Sequence, residues 1–271
     1  MGRSRPPAMK TRQISSIFRF LMLKIPNPRP DQGSRKAELM VSKTRMIDLV
    51  KAFDAQGVDS ALTQSSDLMT WRGEKGRNWL HLLCGVEIKS GREPAASVRT
   101  ADVLVRHGLD VSSPAFTEGN WKATPVWFCI SRGRNFTLAR WLLEAGAEPN
   151  FSLWAAAFNN DLEAIRLLLS FGAELEDPSV DETPFLGAVQ WSHFDAAEEF
   201  LRHGANINAR DCKGMTALHY MLKKNSDKRH FLPLIAAGAR GDVPDSDGQT
   251  ARAIMRRKKD PDFHRMAEQL A

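Results

Sequence analysis

Cysteine is scarce, tyrosine is nearly absent and long apolar runs are missing, and each shortage removes a class of protein. The three cysteines, Cys84, Cys129 and Cys212, form no C-x-x-C pair, and an odd number of scattered thiols suits a reducing compartment better than a disulfide framework. No stretch reaches the roughly 18 consecutive apolar residues of a membrane-spanning helix. The most apolar N-terminal piece, from Ile14 to Ile25, is cut by Arg19 and Lys24, which also spoils it as a signal-peptide core. No two histidines have the i, i+4 spacing of a metal-binding helix, so no metal is expected. Phosphate-cradling glycine loops and a nucleophile elbow are missing too, so no catalytic or cofactor-binding residue and no cofactor are expected, and the chain does not read as an enzyme.

Charge is present but unevenly placed. Of 38 Lys/Arg and 32 Asp/Glu, residues 1–45 hold eleven and two, leaving 27 and 30 for the rest. The high pI therefore belongs to an N-terminal arm, and the slightly acidic body argues against nucleic acid as a partner. The arm, residues 1–45, reads as flexible. Its composition also fits a targeting or secretion address, and Ile14, Ile17, Phe18 and Leu21 among Arg12, Arg19 and Lys24 would make a short membrane-surface helix.

The rest repeats itself. Residues 151–176 hold two short runs of 3.6-residue periodicity, Leu153-Ala156-Ala157 and Leu162-Ile165-Leu168-Leu169, broken at Asn159-Asn160-Asp161 and ended by Gly172. That is a helix pair with a tight polar turn and a left-handed glycine terminator. The ending recurs at Gly108, Gly146, Gly204 and Gly238. The opening recurs as Thr124-Pro125, Thr183-Pro184, Thr216-Ala217-Leu218-His219 and Thr250-Ala251, with Asn78-Trp79-Leu80-His81 an eroded copy. Thr183 to Thr216 is 33 residues, and Thr216 to Thr250 is 34.

A period of about 33 with T-P-L-H openings resembles the ankyrin-repeat family. The resemblance implies an all-α solenoid of stacked helix-turn-helix units with short β-hairpin-like loops. Its threonines would cap helices and its prolines occupy the first helical position. His81 and His219 would clasp the turn, a role passed to packing where Trp127, Trp154 and Leu186 stand instead. The units would run over about 74–113, 119–149, 150–177, 178–210, 211–244 and a capping 245–271, with capping helices over 46–73. Met46 to Phe53 with Gly57 looks like an outer helix and its terminator. The segment from Glu87 to Ser97 reads as an inserted surface loop, tolerated or used for recognition. Phe151-Ser152 replaces Thr-Pro, and Pro233 requires its helix to start near Phe231 or to kink.

The resemblance further implies a non-catalytic interaction module or adaptor, monomeric, holding another protein on its concave surface of hairpin tips and inner-helix ends. Carried across, that surface comprises Trp121, Arg132, Phe158, Asn159, Gln190, Trp191, Lys213, Met215, Lys223 and Lys224, with Ala123, Ser131, Asn150 and Glu182 beside them. Trp121, Phe158 and Trp191 are either anchors for the partner or packing against neighbouring repeats. Two alternatives stay open: a secreted effector that engages a partner enzyme, and a binder of nucleic acid or membrane through the basic arm. The cytoplasm is the first compartment to expect.

Overall fold

The computed structural model describes residues 41–89, 92–118, 121–176 and 182–271. Residues 1–40, and with them the readings of the arm as an address or a membrane-surface helix, lie outside the described residues. Two compact units are present. One ends at Ala155 and includes Ser170–Gly172; the other holds Ala156–Leu169 and Ala173–Ala271.

The first unit pairs α1 (Lys43–Ala52) with α2 (Ala55–Gln64), α3 (Trp79–Cys84) with α4 (Pro94–Arg106), and α5 (Pro125–Phe128) with α6 (Phe136–Glu144). Helix α5 runs on into a π-helical turn, Cys129–Gly133. Two-residue strands, β1 (Thr117–Glu118) and β2 (Trp121–Lys122), make one antiparallel hairpin with Glu118 opposite Trp121. Helices α1, α3 and α5 pack side by side as an inner row, and α2, α4 and α6 as an outer row. The second unit continues the pattern with α8 (Leu162–Ser170), α9 (Pro184–Trp191) and α10 (Phe194–Arg202), then α11 (Ala217–Lys224), α12 (Phe231–Ala236), α13 (Ala251–Arg257) and α14 (Pro261–Gln269). Helix α7 (Leu153–Phe158) spans the boundary between the units. No described helix is long and apolar enough to cross a membrane.

Local chemistry explains the boundaries. The hydroxyls of Thr124, Thr183 and Thr250 accept from the backbone N–H groups of Trp127 (3.4 Å), Leu186 (3.2 Å) and Ala253 (3.2 Å). Pro125 and Pro184 follow at the first helical position, where no N–H is needed. Gly204 takes φ +91°, letting Ala205 N–H reach Phe200 C=O at 3.0 Å and close the α10 terminus.

The histidine clasp extends beyond its own turn. His81 Nδ1 accepts from Asn78 N–H at 3.2 Å while Nε2–H donates to Ser113 C=O at 2.9 Å. His219 repeats this with Thr216 N–H (3.2 Å) and Gln249 C=O (3.0 Å). Each imidazole thereby ties its helix start to the next loop in the chain. The Thr216 hydroxyl departs from the other threonines, lying 2.9 Å from His219 Nδ1. Burial, opposed by the Ser113 carbonyl, pulls the His81 pKa down to about 4. Between the unfolded value near 6.5 and that folded value, only the unfolded chain takes up the proton. Stability should therefore fall by roughly 3 kcal/mol as pH drops through this window. Urea denaturation at several pH values should show the slope, and His81→Gln should flatten it.

Several expectations need correcting. The Met46–Phe53 segment lies in α1, which packs against the inner helix α3 and so is inner, not outer. Gly57 does not terminate it; Gly57 N–H caps onto Asp54 Oδ1 at 2.8 Å in the first turn of α2. The helix begins at Lys43, with Ser42 as its cap, inside the stretch assigned by composition to the arm. The segment from Glu87 to Ser97 is only partly a loop, because Pro94 opens α4. Of the two readings for Pro233, the first holds and needs no correction: it lies in the first turn of α12, which begins at Phe231.

Candidate functional site

In the first unit, Trp121 is half-buried. Its indole N–H donates to Phe151 C=O at 3.2 Å, and its ring meets Trp127 edge-on at 5.3 Å and Phe116 at 5.6 Å. It is thus tied to Phe151 and Trp127 beyond its own hairpin. Ala123 and Ser131 are buried, at 0% and 7% exposure, and are not available as surface. Arg132 projects from the π-helical turn, half-buried, with its guanidinium 5.9 Å from the Phe128 ring centroid.

The second unit gathers more of the predicted residues. Phe158 ends α7, Trp191 ends α9 and Lys224 ends α11. The steps between them, 158 to 191 and 191 to 224, are both 33 residues, so the three occupy one position in successive repeats. Phe158 and Trp191 are half-buried and meet edge-to-face at 5.0 Å. Lys224 Nζ donates to Gln190 C=O and lies 3.3 Å from Ser192 Oγ. Left-handed residues turn the chain away after each of these helices: Asn160 (φ 50°), Ser192 (φ 63°) and Asn225 (φ 51°). The row is thus aromatic at two positions and cationic at the third. Asn159 is half-buried beside it, and Lys213 and Lys223 are exposed.

Met215 is a correction: its side chain is buried at 9% exposure, and its backbone N–H donates to Asp211 Oδ1 at 2.7 Å. Glu182, at 2% exposure, is not free surface either; its carboxyl holds the Gln190 side-chain amide. Asp211, buried nearby, accepts from the Tyr220 hydroxyl at 2.6 Å. Sequence reading missed this Glu182–Gln190–Asp211–Tyr220 group, because nothing in the repeat pattern marks Tyr220 as an acid's partner. Burial, reinforced by the Asp211 charge, raises the Glu182 pKa to about 8. Ionisation is disfavoured in the folded state, so stability should decline as pH rises from about 4.5 to 8. Glu182→Gln keeps the amide contact without the titration. Its advantage should be near zero at pH 4.5 and on the order of 5 kcal/mol at pH 8.5. Chemical denaturation at both pH values checks this.

The outer face is laid out differently. Glu199, buried on α10, takes a bidentate Arg166 (2.6 and 3.0 Å) and Arg202 (2.7 Å), with His203 Nε2 at 3.3 Å. The Arg166 bond leads in holding this carboxyl down to about 2. All four members are occupied with one another, as a strut between α8 and α10 would be. Cys84 and Cys129 are buried, and burial pushes the Cys84 thiol well up, away from the reactive thiolate.

Comparison with known proteins fits this geometry. Residues 153–245 match the family described as ankyrin repeats (3 copies). Over 75 residues the chain is 36% identical to the chicken (Gallus gallus) Arf-GAP with coiled-coil, ANK repeat and PH domain-containing protein 2, covering 27% of this chain and 10% of that protein. Over 123 residues it is 31% identical to chicken inversin, covering 44% of this chain and 11% of inversin. The chain thus matches only about a tenth of either relative's length. Among solved structures, the ankyrin repeat domain of Bcl-3 superposes with TM-score 0.65 at 20% identity, over 82% of this chain and 97% of that one. The human ASB11 ankyrin repeat domain gives 0.63 at 17%, over 83% and 97%. At such identities the likeness establishes the fold.

Proposed function

The chain carries ankyrin repeats, and on that premise we propose that it is a non-catalytic module that binds a partner protein along the ends of its inner helices. Ankyrin repeats are protein-interaction modules. The observation that carries the reading is the row of Phe158, Trp191 and Lys224, one structural position repeated every 33 residues. Two touching aromatics beside a cation offer apolar area and one positive charge to a partner with a hydrophobic centre and an acidic rim. Asn159, Gln190, Lys213 and Lys223 would form its polar border. In the first unit, Trp121 and Arg132 would offer a contact surface of their own. The widely spaced thiols fit a reducing compartment, the cytoplasm first.

Affinity capture with the intact chain, beside a copy lacking residues 1–39, tests this. Both should retain the same protein. Loss of that protein on truncation would move the function to the basic arm.

A further inference from the structure

Around Arg132, the first unit concentrates positive charge. Lys51, Arg77, Arg92 and Arg132 line a single pocket of about 250 Å³, and among the described residues no Asp or Glu lines it. They come from separate places: the last turn of α1, the residue before the α3 cap, the segment leading into α4, and the π-helical turn after α5. Arg92 is fixed by its bond to Lys51 C=O at 2.9 Å and by the Phe53 ring at 5.1 Å. Arg77 is braced by Glu74, whose carboxylate is 3.4 Å away and exposed. Four cations therefore line one pocket, with the exposed Glu74 carboxylate beside Arg77. His81 also borders the pocket and, being neutral at neutral pH, adds no charge.

Such a gathering is unfavourable in the empty protein. Burial, and then the charge of Arg77, lower the Arg132 pKa. An anion in the pocket would offset both effects by its charge. Three guanidinium forks and an ammonium match the oxygens of a phosphoryl group, which guanidinium binds in bidentate fashion. Leu82, Val86 and Phe128 supply an apolar wall for the stem that carries it. The charges converge on one small cavity and do not follow a track, as binding along a phosphate backbone would require.

We propose that this pocket receives the phosphorylated side chain of a protein partner. The inference deepens the interaction reading and shares Arg132 with it, but involves no aromatic of the second unit.

The test titrates the full chain with fluorescein-labelled pentapeptides that carry phosphoserine, aspartate or serine at the centre and are otherwise identical. At about 0.15 M salt, where long-range attraction is screened, the phosphoserine peptide should bind saturably and at least roughly tenfold tighter than the aspartate peptide. The serine peptide should not bind. Arg77→Gln and Arg132→Gln should each weaken the phosphopeptide about tenfold, and Arg256→Gln, on α13 of the other unit, should leave it unchanged. No saturable binding, or binding indifferent to Arg77→Gln and Arg132→Gln, would overturn the proposal. So would equal affinity for the aspartate peptide, or inorganic phosphate binding as tightly as the phosphopeptide. Because short free peptides are used, these failures would leave the Phe158–Trp191 surface untouched.

Discussion

Gly133→Ala should cost about 3 kcal/mol, at the upper end of what overpacking usually costs. An added Cβ would stand 2.1 Å from Cys84 C=O oxygen and 3.3 Å from Val86 C=O oxygen. Those neighbours are backbone atoms at the end of α3, so no side-chain rotation relieves the clash. Gly133 is itself pinned, its carbonyl accepting from Ile88 N–H at 3.0 Å. The inner helices α3 and α5 would have to separate, and Trp79, Leu83 and Phe128, all at 2% exposure or less, would lose contact with them. Gly146→Ala makes the contrast. There φ is +89° and nothing lies within 4 Å, so only the backbone conformation is strained, at about 1 kcal/mol. Urea denaturation of the two variants should separate a glycine required for space from one required for its dihedral angle. Equal costs would contradict the packing argument.

Removing both rings of the aromatic pair, Phe158→Ala with Trp191→Ala, should weaken partner binding about 100-fold, or roughly 2.7 kcal/mol. The size follows from their chemistry: large, rigid, half-buried groups lose little entropy on being covered. The rings touch, at 5.0 Å, so the two substitutions should not add. A double-mutant cycle measured by calorimetry should return a coupling of about 0.5–1.5 kcal/mol. The folded baseline should change less than binding does, because neither side chain belongs to the fully buried core. Unaltered affinity in the double variant would remove the aromatic pair from the interface.

The sequence made the repeats legible because their signals are local. A threonine cap, a following proline and a positive-φ glycine each act within a few residues, and the openings at Thr183, Thr216 and Thr250 recur at 33 and 34 residues. The equivalence of Phe158, Trp191 and Lys224 could be counted directly. What local signals could not carry was which row a helix joins. The segment from Met46 to Phe53 has an apolar stripe, but a stripe alone does not say whether α3 or α4 is its neighbour. Met215 looked exposed because hairpin positions usually are, whereas here it is 9% exposed and its backbone N–H is bonded to Asp211. The pocket around Arg132 was invisible for a different reason. Lys51, Arg77 and Arg92 lie far apart in the chain, and only packing brings them together.

The most direct measurement places a photo-crosslinking amino acid at single positions of the full chain: Trp191 and Lys224 at inner-helix ends, and Glu163 and Arg202 on the outer helices α8 and α10. Irradiation with the captured partner should give crosslinks from the first two positions and little from the others. Crosslinks chiefly from Glu163 and Arg202 would contradict the account, because the partner would then be held by the outer row.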